Sequence, residues 1–327
     1  MIFVFALFLL TLLVITAIAI VRSENLFVSV MLTSIFSLLM AANFFILDAA
    51  DVALTEAAVG AGITTVIFLS ALALTAEREK RRAGGQLVAL GAVGIMAALI
   101  IYATFDKPRL GDPEAPVHQH VAPWYLEKTP EYIDIPNVVT AILSSYRGYD
   151  TLGEVFVVFT ACIGVLFILG VKPPEQPADR TAESGGLRHH LIPQVVGRLL
   201  VPFIVLFGLY TQFHGEYGPG GGFQAGVIFG AGIILYALMF GLEQARRVFP
   251  PRVLELFVAF GLLLYGSVGM AAILKGGNFL DYDVLAHEHI HGQHLGILLV
   301  ELGVGITVAA VMATVFFSFI GRGRADV

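Results

Sequence analysis

The chain has 327 residues and a formal net charge of −6; 57% of its residues are hydrophobic and only 13% charged. A mean hydropathy of +0.84 excludes an ordinary soluble globular domain, in which about a quarter of residues are charged, and the acidic balance offers no basic face for nucleic acid. With a single cysteine, Cys162, no intramolecular disulfide is possible.

A bilayer core is crossed by roughly 20 apolar residues in a helix, and helices are what satisfy the backbone across continuous apolar runs. Nine segments meet that condition, at about 2–21, 26–47, 52–76, 86–105, 152–170, 191–213, 220–242, 252–274 and 293–319. The chain therefore reads as an all-α polytopic membrane bundle. No Lys or Arg precedes the first segment and its apolar run exceeds that of a usual signal peptide, so it reads as a span and not a cleaved leader. Cys162 falls inside the fifth span and reads as a packing residue.

Two polar stretches interrupt the pattern: EREKRRAGG at 77–85, and the Pro-, Gly- and charge-rich KPPEQPADRTAESGG at 172–186, which has linker composition. They divide the chain into units of three, two and four spans, at 1–83, 84–171 and 187–327. Segment 106–150 carries six of the fourteen prolines and reads as largely irregular. Its end, NVVTAILSSYR (137–147), places Val138, Val139, Ile142, Leu143 and Tyr146 on one helical face, which predicts a short helix lying at the outer interface.

Basic residues set the orientation. With the N-terminus outside, thirteen of the 19 Lys and Arg fall in inner segments and five in outer ones, with Arg198 inside the sixth span. The expected topology is N-terminus out, C-terminus cytoplasmic, in the cell membrane.

Ionisable groups inside spans are costly and mark function by default. Glu56 lies about 7 Å into the third span, in DVALTEAAVGAGITTVIFL, where small neighbours admit helices and water; it reads as a proton relay or an assembly contact. Glu154 opens the fifth span four residues after Asp150, suited to ion handling or to capping. Glu301 sits deep in the ninth, with no basic residue near it in sequence. Glu255, beside Arg252, reads as an interfacial salt bridge. Glu56, Glu154 and Glu301 all fall in the outer half, where a pathway could open outward.

QFHGEYGPGGGFQAG (212–226) joins the sixth and seventh spans. It lacks the Lys-Ser/Thr of a phosphate loop and follows no strand. Gly222, Gly226 and Gly230 instead form a smooth stripe for close helix packing. The turn places His214 and Glu216 at the outer mouth, where His214 could pass protons to Glu216 or to water, or be a structural residue. HEHIHGQH (287–294) contains His287-Glu288-x-x-His291, but Gly292 and a loop setting disfavour a zinc protease; it reads as a solvated or proton-collecting surface, with no metal site.

These residues resemble known proteins. DVALTEAAVGAGITTVIFLSALAL (51–74) is similar to the small three-span membrane protein shared by Mrp-type cation/proton antiporters and membrane-bound hydrogenases (the MbhD-like unit), and NVVTAILSSYRGYDTLGEVFVVF (137–159) to the two-span MbhE-like unit that follows it. HGEYGPGGGFQAGVIFGAG (214–232), with LLVELGVGITVAAVM (298–312), resembles the B subunits of Mrp antiporters, the MnhB family. In many Mrp systems the first two units end the large A-type protein; here they stand fused to the B unit. One departure is that Gly60 stands where that large protein has its carboxylate, while Glu56, four residues and about 6 Å earlier, resembles the hydrogenase-type version.

The resemblance implies a transporter component, not an enzyme, with no cofactor. Its partners would be other antiporter subunits in a hetero-oligomeric Na+(cation)/H+ antiporter, with Na+ and H+ as the ions. The glutamates would contribute to an ion path while the helices scaffold the complex. No span contains lysine, whereas the family's large subunits carry lysine-containing channels. A membrane-arm component of a hydrogenase or related redox-driven ion pump is the alternative.

Overall fold

The computed structural model describes residues 2–80, 85–109, 111–169 and 191–322. The 172–186 linker and the proposed unit boundaries near 83 and 171 lie outside them. Among the described residues the fold is all-α; the only extended pairing is an isolated Asn25–Arg78 bridge.

Among the described residues nine helices are long and apolar enough to cross a membrane. They are α1 (Ile2–Arg22), α2 (Leu26–Ile46), α3 (Ala50–Leu72), α4 (Gln86–Thr104), α7 (Gly148–Leu169), α8 (Leu191–His214), α9 (Gly222–Phe240), α11 (Pro251–Leu274) and α12 (His289–Arg322). Shorter helices are α5 (Ala122–Tyr132), α6 (Val138–Ala141) and α10 (Leu242–Val248). Local chemistry sets several ends. Asn25 caps α2 by accepting from Val28 N, Pro251 opens α11 where its missing N–H costs nothing, and Gly241, at φ +86°, turns α9 into α10. The middle of α3, Ala57–Ile63, is π-wound.

α12 is the axis. It packs against α9, α11, α7 and the second half of α3, and Ile297, Val300, Val304, Val308 and Phe316 are essentially sealed from solvent. The Gly222–Gly226–Gly230 stripe makes its approach to α9 close. A Cβ on Gly222 would collide with the Glu301 carbonyl, one on Gly226 would lie 2.7 Å from Gly305 O, and one on Gly230 2.9 Å from Met312 Cβ. By contrast, no residue of α4 is buried.

Two expectations are corrected, and the one for 137–147 is filled in. Segment 106–150 is mostly helical: Val117–Val121 winds as a π turn into α5, whose Pro123 lies in the first turn, where proline is tolerated. In 137–147, α6 continues as a π turn over Ile142–Tyr146, but Val139 and Leu143 face outward and Thr140, Ala141 and Ser144 are buried. The small polar side packs inward because it meets the backbone of the 214–221 turn and the Glu301 carboxyl. Finally, α12 begins at His289, so His291 and His294 are helical while His287 is not. Gly292 does not stop the helix; it lets α12 press onto the Tyr282 carbonyl.

Candidate ion-handling site

Glu301, on α12, is 9% exposed. The glycine turn is moulded around it: positions for a Cβ on Gly215 and Gly221 lie 3.3 and 3.2 Å from its two carboxyl oxygens. Gly221 also needs glycine's freedom at φ +115°. From the other side Ser144 Oγ donates to Glu301 Oε1 at 3.2 Å.

The 137–148 segment clamps this turn in place. Asn137 caps α6 through Val139 N and Thr140 N, and its amide donates to Gly215 O, Gly218 O and Asp51 Oδ1 at 3.1, 2.9 and 3.3 Å. Thr140 Oγ1 donates to Gly215 O at 2.7 Å. Two sealed tyrosines hold the far end: Tyr282 donates to Ser144 O at 2.9 Å and Tyr265 to Gly148 O at 2.8 Å. Burial pushes the Tyr282 phenol far above its ordinary pKa, so it stays a neutral donor.

Glu301 borders two cavities. One, of about 240 Å³, is lined by Asp51, Thr55, Ser144, Glu154, Gln224 and the glycine turn. Gln224 Nε2 donates to Thr55 Oγ1 at 2.9 Å across it. The other, of about 390 Å³, contains Gln212, Glu216, His294 and Leu298. There Glu216 Oε2 lies 3.2 Å from His294 Nδ1, and Gln212 Nε2 is buried with no hydrogen-bond partner among the described residues, a donor that calls for water. Carboxyls, hydroxyls and amides around two spaces that each hold several waters can exchange protons and strip part of a cation's hydration shell.

The structure thus gathers Glu301, Glu154 and Glu216. Glu154 is exposed at the cavity's edge. Glu56 points elsewhere: its Oε1 and Ser37 Oγ each lie 2.6 Å from the Cβ position of Gly60, between α2 and α3. Asp150 forms an exposed ion pair with Arg147 at 2.5 Å. His214 stacks on Tyr210, ring centres 4.7 Å apart, and Glu216 faces His294 instead. Glu255 is exposed and makes no ion pair with Arg252, contrary to the sequence expectation. Sequence reasoning missed Asp51, Thr55, Gln224 and the Asn137–Thr140–Ser144 row. That row has helical spacing of three and four and was legible as a polar stripe beside the apolar one.

Family models match along the chain. Residues 11–77 match the model for the D subunit of MBH, 80–181 that for the E subunit of MBH, and 192–314 match "Domain related to MnhB subunit of Na+/H+ antiporter". A Staphylococcus aureus (strain Newman) protein named as antiporter subunit mnhB2 is 32% identical over 134 residues, 40% of this chain and 94% of that protein. The chain belongs to the MnhB family.

In this MnhB-family chain the B-type domain is fused to D- and E-type units. A Rhizobium meliloti (strain 1021) protein, named as a probable K(+)/H(+) antiporter component of the A/B type, is 29% identical over 273 residues, 73% of this chain and 26% of the relative. The structure of the Mrp complex from Dietzia sp. DQ12-45-1b contains a chain that superposes with a TM-score of 0.77 at 27% identity, covering 98% of this chain and 35% of that one. The chain therefore spans about a quarter and a third of these two relatives. A chain of the membrane-bound sulfane sulfur reductase, an archaeal respiratory membrane complex, superposes at TM-score 0.55 and 28% identity, over 72% of this chain and 97% of that one.

Proposed function

We propose that this chain is a membrane component of an Mrp-type multisubunit Na+(cation)/H+ antiporter, assembled with other antiporter subunits in the cell membrane. It contributes a hydrated carboxylate passage and scaffolds the complex. One observation carries the reading: Glu301, a carboxyl buried among helices, borders two cavities with ionisable groups in their walls, one holding Glu216 and His294, the other Asp51 and Glu154. A proton taken up at the outer surface by His294 or His214 passes through Glu216 and water to Glu301, and from there to water beside Asp51 and Glu154, each carboxyl accepting and releasing one proton. Asp150, paired with Arg147, stands at the outer rim, and Glu56 serves the α2 side of α3. The N-terminus lies outside and the C-terminus in the cytoplasm. The units run over 1–83, 84–171 and 187–327, and no cofactor is needed for this chemistry. A complete lysine-containing channel belongs to a neighbouring subunit.

The test is Glu301→Gln in the whole complex, assayed in everted vesicles for cation-driven dissipation of a proton gradient. Loss of antiport with normal assembly supports the passage; full antiport overturns it. Running the assay with Na+ and with K+ identifies the cation.

The likeness to a respiratory membrane complex favours a second reading, a membrane-arm component of a redox-driven ion pump. Co-purification with subunits carrying iron–sulfur signals would favour that parent over an antiporter.

A further inference from the structure

On the flank of the B-type domain away from Glu301, α8 and α9 form a third, more polar notch of about 600 Å³. α8 supplies Gln194, Arg198 and Pro202, α9 supplies Tyr236 and Phe240, and Gln244 comes from α10 after the Gly241 turn. The Arg198 guanidinium lies 5.4 Å from the Phe240 ring centre, a cation–π contact that fixes its direction. Pro202 has no N–H to give the Arg198 carbonyl one turn back, which leaves a further acceptor on this side of the helix.

Arg198 lies seven residues into α8, about 10 Å along the axis. A cation at that depth needs a counter-charge or a route to water, and among the described residues no carboxylate pairs with it. Arg247, at the same end of the bundle, is neutralised by Glu243 at 2.7 Å. That end also carries Arg246 and Arg252, so the charge count assigns it to the inner leaflet, which is rich in anionic lipid. Beyond the notch α8 is wholly apolar from residue 199 to 209, with Leu199, Phe203 and Leu206 each at least 60% exposed. A polar notch opening onto an apolar strip matches an amphiphile, and the space exceeds what one carboxylate fills.

We propose that the notch binds an anionic glycerophospholipid of the inner leaflet. Arg198 pairs with its phosphate, Gln244 and the Tyr236 hydroxyl donate to headgroup or ester oxygens, and an acyl chain lies along α8.

Purified, delipidated complex containing the full chain is titrated with phosphatidylglycerol, phosphatidylcholine or inorganic phosphate while its thermal midpoint is followed. Phosphatidylglycerol is expected to raise the midpoint saturably and phosphatidylcholine to act at least about tenfold more weakly, the scale of a charge-assisted phosphate contact. Arg198→Gln should weaken phosphatidylglycerol by about tenfold, and Arg198→Lys should recover most of it. Equal response to both lipids, unchanged affinity in Arg198→Gln, or saturation by inorganic phosphate alone overturns the proposal. So does a photoreactive residue at position 201, where Val201 lines the notch, that captures a protein subunit and no lipid. If Arg198→Gln fails to assemble, Gln244→Ala must still weaken phosphatidylglycerol binding, and unchanged affinity there is equally fatal.

Discussion

Glu301 shows how a carboxyl can be kept inside a bundle without a cation beside it. Its nearest donor is the Ser144 hydroxyl, and the remaining space comes from glycines with no side chain to intrude. Ser144→Ala removes one hydrogen bond, worth about 1 kcal/mol, so the fold should survive while the pH profile of antiport shifts; an unshifted profile would detach Ser144 from the passage. Gly222→Ala acts differently. Its methyl would strike the Glu301 carbonyl, which is backbone and cannot swing away, so overpacking should cost about 1–3 kcal/mol and lower the thermal midpoint. Tyr282→Phe keeps the buried ring but orphans the Ser144 carbonyl, a loss of about 1–3 kcal/mol. The same measurement checks it, and wild-type stability would show that the tyrosine hydroxyl does not hold the Ser144 turn.

The helices themselves were legible because lipid permits so few alternatives: an apolar run of 19 residues or more reads as a helical span, and nine such runs became nine helices of that length among the described residues. What was not legible depends on which side of a short helix meets the bundle. In NVVTAILSSYR the apolar stripe was legible as a short interfacial helix, but not which groups its other, small polar side would meet. Thr140 and Ser144 turn inward because backbone carbonyls and a carboxyl await them there. Glu301 was legible as a buried carboxyl and the glycine turn as a close-packing device, yet their union was not, since 75 or more residues separate them in sequence. Asn137 is where this element-level logic can be tested. Asn137→Ala deletes a helix cap, about 1 kcal/mol, together with the one amide group whose N–H bonds reach Gly215, Gly218 and Asp51. The 214–221 turn should loosen, seen as faster hydrogen exchange at Gly215 to Gly221; unchanged exchange would mean that the turn is held by its own backbone.

At the scale of the molecule, fusion explains the distribution of burial. The B-type helices α9 and α12 form a packed centre, whereas α1, α4 and the outer face of α8 present apolar side chains with nothing among the described residues over them. Ser144 from the E-type unit and Asp51 from the D-type unit both reach into the B-type site, so the junctions between units build the cavity that each alone would lack. The distribution of charge predicts which way this assembly faces. The turn at 214–221 lies at one end of the bundle, and Arg246, Arg247 and Arg252 gather at the other. Basic residues are retained on the cytoplasmic side during insertion, so the glycine turn should face outward. Cys162 is buried, which leaves a quiet background for labelling. In right-side-out vesicles a membrane-impermeant maleimide should react with Tyr217→Cys and spare Arg247→Cys, and in everted vesicles the pattern should invert. The opposite pattern would turn the molecule over and move Glu216, His294 and the mouth they form to the cytoplasmic side, where the passage would collect protons from within.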